Sequence, residues 1–262
     1  MNPGEYERMA RAEESHWWYR GLRDAIERTL ASRRFALPPS PRILDAGCGT
    51  GGNLRMLSER FEPAYLGGFD ISPLALDWAR RKAPTADVYA GDLCAPEIHV
   101  PELDLILSCD AIYIPGAAAA LPGLRLLAER LRPGGLFLLN LPAYDWLYSE
   151  HDVAIHTRER YTAGRVRQLL REIGLTPALV SYRLWTLFPA VVAARLPSIL
   201  RRKPAAAEAA SDLRELPRFA SATLVAILRA ENRLMASGLR FPWGSSVFAV
   251  GRKRGPGDLD ES

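Results

Sequence analysis

Cysteine and histidine are scarce in this chain, which has three cysteines and four histidines among 262 residues. Cys48, Cys94 and Cys109 lie far apart and form no C-x-x-C pair, and the histidines show no metal-ligand spacing. This pattern excludes a disulfide framework and a zinc site. The thiols are expected to be reduced, as in a cytoplasmic protein.

Signal, membrane-spanning and nucleic-acid-binding patterns are also absent. The N-terminal stretch MNPGEYERMARAEE is too charged for a secretory signal. Residues 184–200 are strongly apolar, but Pro189, Arg195 and Pro197 interrupt the stretch, which is too short and broken to span a bilayer. The net charge is +4, but the arginines that carry it are interleaved with Asp and Glu. Without a basic stripe, nucleic-acid binding is not expected.

Residues 42–53, RILDAGCGTGGN, are the stretch around which the chain is organised. The apolar pair at 43–44 predicts a short buried parallel strand. The glycines that follow predict a tight turn with no Cβ atoms in the way of a ligand. Apolar residues then recur at helical spacing from 54 to 61. Strand, glycine turn and helix together predict the nucleotide cradle of an open α/β sheet.

Asp45 helps to decide which ligand this cradle holds. The pattern G-x-G-x-x-G at 47–52 also fits a dinucleotide site, so the glycines alone do not name the ligand. Asp45 lies two residues before the first glycine, and a carboxylate there repels a pyrophosphate but attracts an ammonium group. S-adenosylmethionine carries an ammonium and a sulfonium and no phosphate, so Asp45 favours that ligand.

The string DAGCGTG resembles the first motif of the class I S-adenosylmethionine-dependent methyltransferases. The string LRPGG at 131–135, before an apolar strand, recurs in the same family. The resemblance implies an α/β fold with a seven-stranded, mostly parallel Rossmann-like sheet and helices on both faces. It also implies an N-terminal helical lid and a C-terminal helical insertion.

Two further acids follow predicted strands. Asp70 lies 25 positions after Asp45, where an α/β nucleotide site places its ribose acceptor; capping of the next helix is the alternative role. Asp92-Leu93 match the family's adenine-contacting motif, and an Asx-type turn is the alternative for Asp92. The resemblance and these positions together predict the cofactor-binding residues Asp45, Gly47, Cys48, Gly49, Gly51, Asp70, Ile71, Asp92, Leu93 and Cys109.

Four segments are predicted. Residues 1–40 form the lid, with one helix from Tyr6 to Leu30 whose aromatic cluster at 16–19 either staples the helix to the sheet or covers the ligand. Residues 41–184 form the cofactor-binding core, in which 132–135 are a turn before the fifth strand. Residues 185–244 form a helical substrate cap, and 245–262 contain the last strand and a tail.

The reaction implied by the resemblance is methyl transfer to a small-molecule or lipid-linked acceptor. The sequence looks like a bacterial subgroup with a Glu-x-His-Trp-Trp element near residue 13 and a His-Asp…His…Arg-Tyr segment after the fifth strand. His151 and His156 in that segment are the candidate bases, because imidazole titrates near neutral pH; a structural role in the loop is their alternative. The acceptor atom stays open.

The same sequence is compatible with two other functions and with a surface contact. An NAD(P)-dependent oxidoreductase uses a similar sheet, and a non-catalytic protein also binds S-adenosylmethionine. The apolar and basic residues at 184–203 fit either a peripheral contact with a membrane or an anionic lipid-like substrate; packing over the open end of the sheet is the alternative.

Overall fold

The computed structural model describes residues 3–201 and 216–255. Its strands are β1 (Arg42–Ala46), β2 (Tyr65–Asp70), β3 (Asp87–Ala90), β4 (Leu103–Cys109), β5 (Leu131–Pro142), β6 (Leu175–Arg183) and β7 (Ser246–Lys253). They form one sheet in the order β3-β2-β1-β4-β5-β7-β6. β7 runs antiparallel to β5 and β6, and the other neighbours are parallel. The predicted seven-stranded, mostly parallel sheet is confirmed.

Helices precede β1, connect most of the strands and occupy most of the described residues between β6 and β7. They are α1 (Pro3–Ser15), α2 (Trp17–Ala31), α3 (Gly52–Arg60), α4 (Pro73–Lys82), α5 (Ala117–Glu129), α6 (Glu150–Ala154), α7 (Ala163–Glu172), α8 (Phe188–Arg201) and α9 (Arg218–Ala236). They cover the sheet on both faces, so its central strands are nearly continuous apolar runs. In β4, for example, every residue but Cys109 is buried.

The strand order places the ligand crevice. From β1 the chain first adds β2 and β3 on one side of the sheet and then adds β4 and β5 on the other side. The strand order therefore reverses between β1 and β4. In open α/β sheets ligands bind at such a switch point, outside the carboxyl ends of the strands. The glycine turn after β1 lies there, and the amides of Gly47 and Cys48 donate to the Phe69 carbonyl of β2.

The single N-terminal helix predicted from Tyr6 to Leu30 was wrong, because the helix is broken at His16. The His16 backbone is extended (φ −69°, ψ 131°), and its Nδ1 atom accepts a hydrogen bond from the Trp18 amide at 3.3 Å. His16 therefore caps α2, and the side chain replaces the carbonyl that a continuous helix would supply.

The turn predicted at 132–135 was also wrong, because these residues belong to β5. The pairing of β5 with β4 shifts register between Leu103 and Leu105, and Gly134 has a positive φ of 80°. This irregularity in the pairing accommodates Gly134 and Gly135, so the strand continues through them.

Helix α9, between β6 and β7, packs against the N-terminal helix α2. The Asn232 side chain of α9 donates to the Gly21 carbonyl of α2 at 2.9 Å, and Leu228 fills the space that a Cβ atom on Gly21 would need. The helix predicted to begin at Ala205 lies partly outside the described residues, and α9 begins at Arg218. In the part of the chain that is described, no helix is long and apolar enough to cross a membrane.

Candidate active site

The glycine turn connects β1 to α3, and three of its glycines have positive φ. These are Gly47 (φ 81°), Gly49 (φ 54°) and Gly51 (φ 84°), a region that residues with side chains rarely adopt. A Cβ atom on Gly51 would lie 2.6 Å from the Ala79 Cα atom of α4, and one on Gly47 would collide with Ala111 after β4. The glycines therefore allow the turn to pack closely against α4 and against the residues that follow β4.

Asp45 is fully buried in β1. Neither carboxylate oxygen accepts a hydrogen bond of normal geometry from the described residues, although the Asn53 side chain favours the charged form. Burial, and then the charges of Glu13 and Asp70, raise the pKa of Asp45 to about 7. Leaving a buried carboxylate without donors is costly, so Asp45 is suited to a cationic or hydrogen-bond-donating group of a ligand.

Asp70 ends β2 and holds two loops together. One carboxylate oxygen accepts from the Gly49 amide at 3.0 Å, and the other accepts from the Ser72 amide at 2.9 Å. Burial raises the pKa of Asp70, whereas these amides favour its charged form. A carboxylate has about four acceptor sites, so Asp70 keeps capacity for a ligand's hydroxyl groups. The next side chain, Ile71, is 73% exposed.

Asp92 and Leu93 follow β3 on the other side of the turn. The Asp92 carboxylate accepts from the Cys94 amide at 2.9 Å, so the Asx-type turn weighed as its alternative role is present. Leu93 is buried, with its Cδ1 atom 3.4 Å from the position of a Cβ atom on Gly47. Leu93 therefore borders the glycine turn, and Asp92 has a second carboxylate oxygen that this turn does not use.

Two of the three thiols lie beside the predicted cofactor acids. Burial raises the pKa of Cys48 and of Cys109 well above the ordinary value, and the Asp45 charge contributes to both shifts. Neutral thiols therefore line this crevice. The structure thus brings Asp45, Cys48, Asp70 and Cys109 together around the glycine turn.

Helix α1 lies directly over the turn. The Met9 Cε atom is 3.5 Å from where a Cβ atom on Gly49 would be, and the Glu13 carboxylate is 2.8 Å from the corresponding point on Gly52. Glu13 pairs with Lys82 of α4. Burial raises the pKa of Tyr6, whose phenol interacts with the residues that follow β2. These contacts, rather than the aromatic cluster alone, close α1 over the site.

A second polar cluster lies at the carboxyl ends of β4, β5 and β6. The Asn140 amide donates to the Asp110 carboxylate at 2.9 Å, and Arg183 Nη1 donates to the Asn140 carbonyl oxygen at 3.0 Å. Asp110 has a positive φ of 54°. Burial raises the pKa of Asp110 to about 7, against the effects of Asn140 and Arg183. The Asp110 charge in turn contributes to the raised pKa values of Tyr19 and Tyr113.

Residues 43–135 match a family model described as a methyltransferase domain. The match begins in β1, ends in β5 and includes the glycine turn, Asp70 and Asp92. This stretch is therefore similar to the methyltransferase domain, in the family that the sequence resembles. The resemblance seen in the sequence is confirmed.

Several curated proteins are similar to part of this chain. It is 32% identical over 148 residues to the trans-aconitate 2-methyltransferase of an Azoarcus species, covering 55% of this chain and 54% of that protein. It is 33% identical over 160 residues to the malonyl-[acyl-carrier protein] O-methyltransferase of Dechloromonas aromatica, covering 58% and 59%. The chain thus spans about half the length of the curated relatives it matches.

A solved structure supports the fold over a longer range. An S-adenosylmethionine-dependent methyltransferase from Clostridium acetobutylicum aligns with a TM-score of 0.57 and 12% identity, over 90% of this chain and 92% of the other. At this identity the likeness concerns the fold alone. It extends the methyltransferase fold beyond the family match.

The residues around the turn fit the family's cofactor. A buried acid without partners suits an ammonium group, and a turn of glycines with positive φ gives a ligand access to the backbone. Asp70 suits ribose hydroxyls, and the exposed Ile71 beside it offers an apolar surface for a base. The chain therefore has groups suited to the ammonium group, the ribose and the adenine of S-adenosylmethionine.

The two predicted bases lie in the segment after β5. His151 is part of α6, and His156 follows it, exposed and with a positive φ of 60°. The segment is held by a buried ion pair between Asp152 and Arg160 at 2.9 Å, and Arg160 also donates to the Ala143 carbonyl at 2.6 Å. No metal-binding cluster of His, Cys, Asp or Glu occurs within 3–201 and 216–255.

Five polar residues of this site received no individual role from the sequence. They are Glu13, Lys82, Asp110, Asn140 and Arg183. Asp110, Asn140 and Arg183 could have been found from the sequence, because each lies at the end of a predicted strand. Ligand contacts concentrate at the carboxyl ends of strands in such sheets. Glu13 begins the segment 13–19 that contains the Glu-x-His-Trp-Trp element seen in the sequence, which gave it no role. Lys82 offered no comparable signal because it lies in a helix and resembles a surface charge.

Proposed function

We propose that this chain transfers the methyl group of S-adenosylmethionine to a small-molecule or lipid-linked acceptor. The observation that carries the proposal is Asp45, a fully buried carboxylate with no hydrogen-bond partner of normal geometry beside a turn of three positive-φ glycines. A pyrophosphate at that position would meet a negative charge, which argues against the NAD(P)-dependent alternative.

In this proposal each predicted cofactor residue has one role. Asp45 binds the ammonium group, Asp70 binds the ribose hydroxyls and Asp92 accepts from the adenine amino group. Ile71 and Leu93 pack on the adenine ring. The backbone of the turn and the two neutral thiols line the remaining surface, through Gly47, Cys48, Gly49, Gly51 and Cys109.

The acceptor side of the site lies next to β4 and β5. When bound, S-adenosylmethionine supplies an electrophilic methyl group on a sulfonium. The cofactor acids end β1 and β2, and Asp110 follows Cys109, whose thiol interacts with Asp45. We therefore place the acceptor against Asp110, Tyr19 and Tyr113. A protein that only bound the cofactor would have no use for this second buried polar cluster.

Asp110 competes with the two histidines for the role of base. A hydroxyl acceptor needs a base whose pKa is near the working pH. The pKa of Asp110 is raised to about 7 by burial, and Asn140 fixes its orientation. His156 is exposed. We propose Asp110 as the base for a hydroxyl acceptor, with the predicted roles of His151 and His156 tested alongside it.

Which acceptor the protein uses is a separate proposal. The names of the relatives specify trans-aconitate and a malonyl carrier protein, but the matches cover about half of each chain. When Asp110 is ionised, its charge repels a carboxylate on an acceptor bound beside it. We propose a neutral small molecule with a hydroxyl group. Contact of residues 184–203 with a membrane and a cytoplasmic location stay predictions, the latter supported by the three free thiols.

The test uses S-adenosylmethionine labelled on its methyl group and fractionated metabolite extracts. We expect label in at least one small-molecule fraction, with stoichiometric release of S-adenosylhomocysteine. The Asp45→Asn protein, checked for folding by circular dichroism, serves as the control and is expected to transfer far less. Binding of NAD(P) in place of S-adenosylmethionine, or cofactor binding without any product, would contradict the proposal.

A further inference from the structure

Glu13 is a buried carboxylate contributed by the lid. It is 7% exposed, although α1 is the first helix of the chain and carries mostly exposed charges. Its side chain lies 2.8 Å from the position of a Cβ atom on Gly52, so it touches the backbone where the glycine turn becomes α3. The next residue, Glu14, is exposed and pairs with Arg55 at 2.8 Å. The two adjacent glutamates therefore differ in burial, since Glu13 is buried and Glu14 is exposed.

Glu13 acts electrostatically on Asp45. After burial, the Glu13 charge is the largest contribution to the raised pKa of Asp45, ahead of the charge of Asp70. Three carboxylates thus surround one glycine turn. Lys82 pairs with Glu13, and Arg23 donates to the Glu13 backbone carbonyl. Neither cation donates to Asp45, whose oxygens have no partner of normal geometry among the described residues.

We propose that Glu13 is a second carboxylate for the cofactor's ammonium group, so that α1 binds the donor as well as covering it. This inference rests on the proposed function of the same site. An ammonium group has three N–H donors, and Asp45 alone does not use them all. A cation between Asp45 and Glu13 would remove their mutual repulsion and supply donors to the unpartnered oxygens. Glu13 would then share its charge between Lys82 and the ligand.

A purely mechanical role for Glu13 predicts different behaviour. If the Glu13–Lys82 pair only latches α1 over the turn, its loss would loosen the lid for every ligand that fits beneath it. If Glu13 binds the ammonium group, its loss would weaken only ligands that carry that group. Two nucleosides separate these roles, because 5′-methylthioadenosine has the adenosine and sulfur of S-adenosylhomocysteine but lacks the amino-acid end.

The experiment is calorimetric titration of both nucleosides into the protein and three single variants. We expect Glu13→Gln to weaken S-adenosylhomocysteine binding roughly 10- to 100-fold, the loss of one charge-assisted hydrogen bond. Binding of 5′-methylthioadenosine should change less than about twofold. Asp45→Asn should show the same selectivity. Glu14→Gln, the matched control, should leave both affinities unchanged.

A double variant, Glu13→Gln with Lys82→Met, guards against misfolding, because it removes both partners of the ion pair together. It should show the same selective loss of S-adenosylhomocysteine binding. Equal weakening of both nucleosides, or unchanged affinities with faster association, would overturn the role of Glu13 and leave the proposed function standing. A wild-type protein that binds neither nucleoside would overturn both.

Discussion

At the residue scale, the site contains side chains that lower the free energy of unfolding. Asp45 and Asp110 are carboxylates whose pKa values are raised to about 7 by burial. Asp110 also has a left-handed backbone, φ 54°, which few residues with side chains adopt. Strained or poorly solvated residues persist where function requires them. Both acids lie in one crevice at the carboxyl ends of β1 and β4.

We predict that Asp45→Asn stabilises the protein in the absence of ligand. A folded-state pKa of about 7, against an ordinary 3.8, means that the folded state binds an extra proton between those values. The unfavourable contribution of Asp45 is therefore absent below about pH 4 and grows until the pH passes about 7. Because Asn carries no charge, the variant should gain about 2–4 kcal/mol at pH 8.

Urea unfolding of both proteins at pH 5 and pH 8, without cofactor, checks this. The gain should be smaller at pH 5, where the Asp45 carboxyl is mostly protonated. Equal or lower stability of the variant at pH 8 would show that Asp45 has a partner which neutralises its charge.

We also predict that Asp110→Asn lowers turnover of a hydroxyl acceptor about 100-fold or more, the usual contribution of a general base. The amide keeps the shape of the side chain, so the affinity for S-adenosylhomocysteine should stay within about twofold. His151→Ala and His156→Ala are the parallel variants. The measurement is initial rate with the acceptor fraction found by methyl labelling. A large loss in a histidine variant, with Asp110→Asn active, would move the base to that histidine.

At the element scale, the structure follows the sequence where the signals are local. Buried strands show as apolar runs, and the glycine turn shows as a motif, so the carboxyl edge of the sheet could be predicted around Asp45 and Asp70. The break at His16 depends on a side chain replacing a backbone acceptor, which periodicity does not show. The place of 132–135 within β5 depends on pairing with β4. Both errors are cases where contacts override local preference.

The segment between β5 and α7 depends on one buried ion pair. Burial alone would raise the pKa of Asp152, but Arg160 lowers it through its charge and a 2.9 Å hydrogen bond. Arg195 of α8 adds a longer contact at 3.6 Å. We predict that Arg160→Met destabilises the protein by about 3–5 kcal/mol, because it leaves a buried carboxylate without its main partner.

Chemical denaturation measures this effect, and the double variant Arg160→Met with Asp152→Asn is its matched control. Removing both charges should restore much of the lost stability, since the buried carboxylate then disappears too. Equal losses in the single and double variants would mean that Arg160 acts by packing rather than by charge. The contribution of Asp152 should be lost as the pH falls below about 4, because its folded-state pKa is lowered.

At the scale of the whole molecule, the site is assembled from distant parts of the chain. Asp110, Asn140 and Arg183 meet because the strand order brings the ends of β4, β5 and β6 to one edge. Glu13 and Lys82 meet because α1 crosses over α4. Neither meeting follows from sequence spacing, which is why the residues around the glycine turn were predicted in more detail than the second polar cluster and α1.

The central claim is that Asp45 and Asp70 hold the amino group and the ribose of one ligand. A crystal structure of the protein with S-adenosylhomocysteine tests it most directly. We predict the ammonium nitrogen within hydrogen-bond distance of Asp45 and the ribose hydroxyls within hydrogen-bond distance of Asp70. The nucleoside bound elsewhere, or bound here with both carboxylates turned away from it, would contradict the claim.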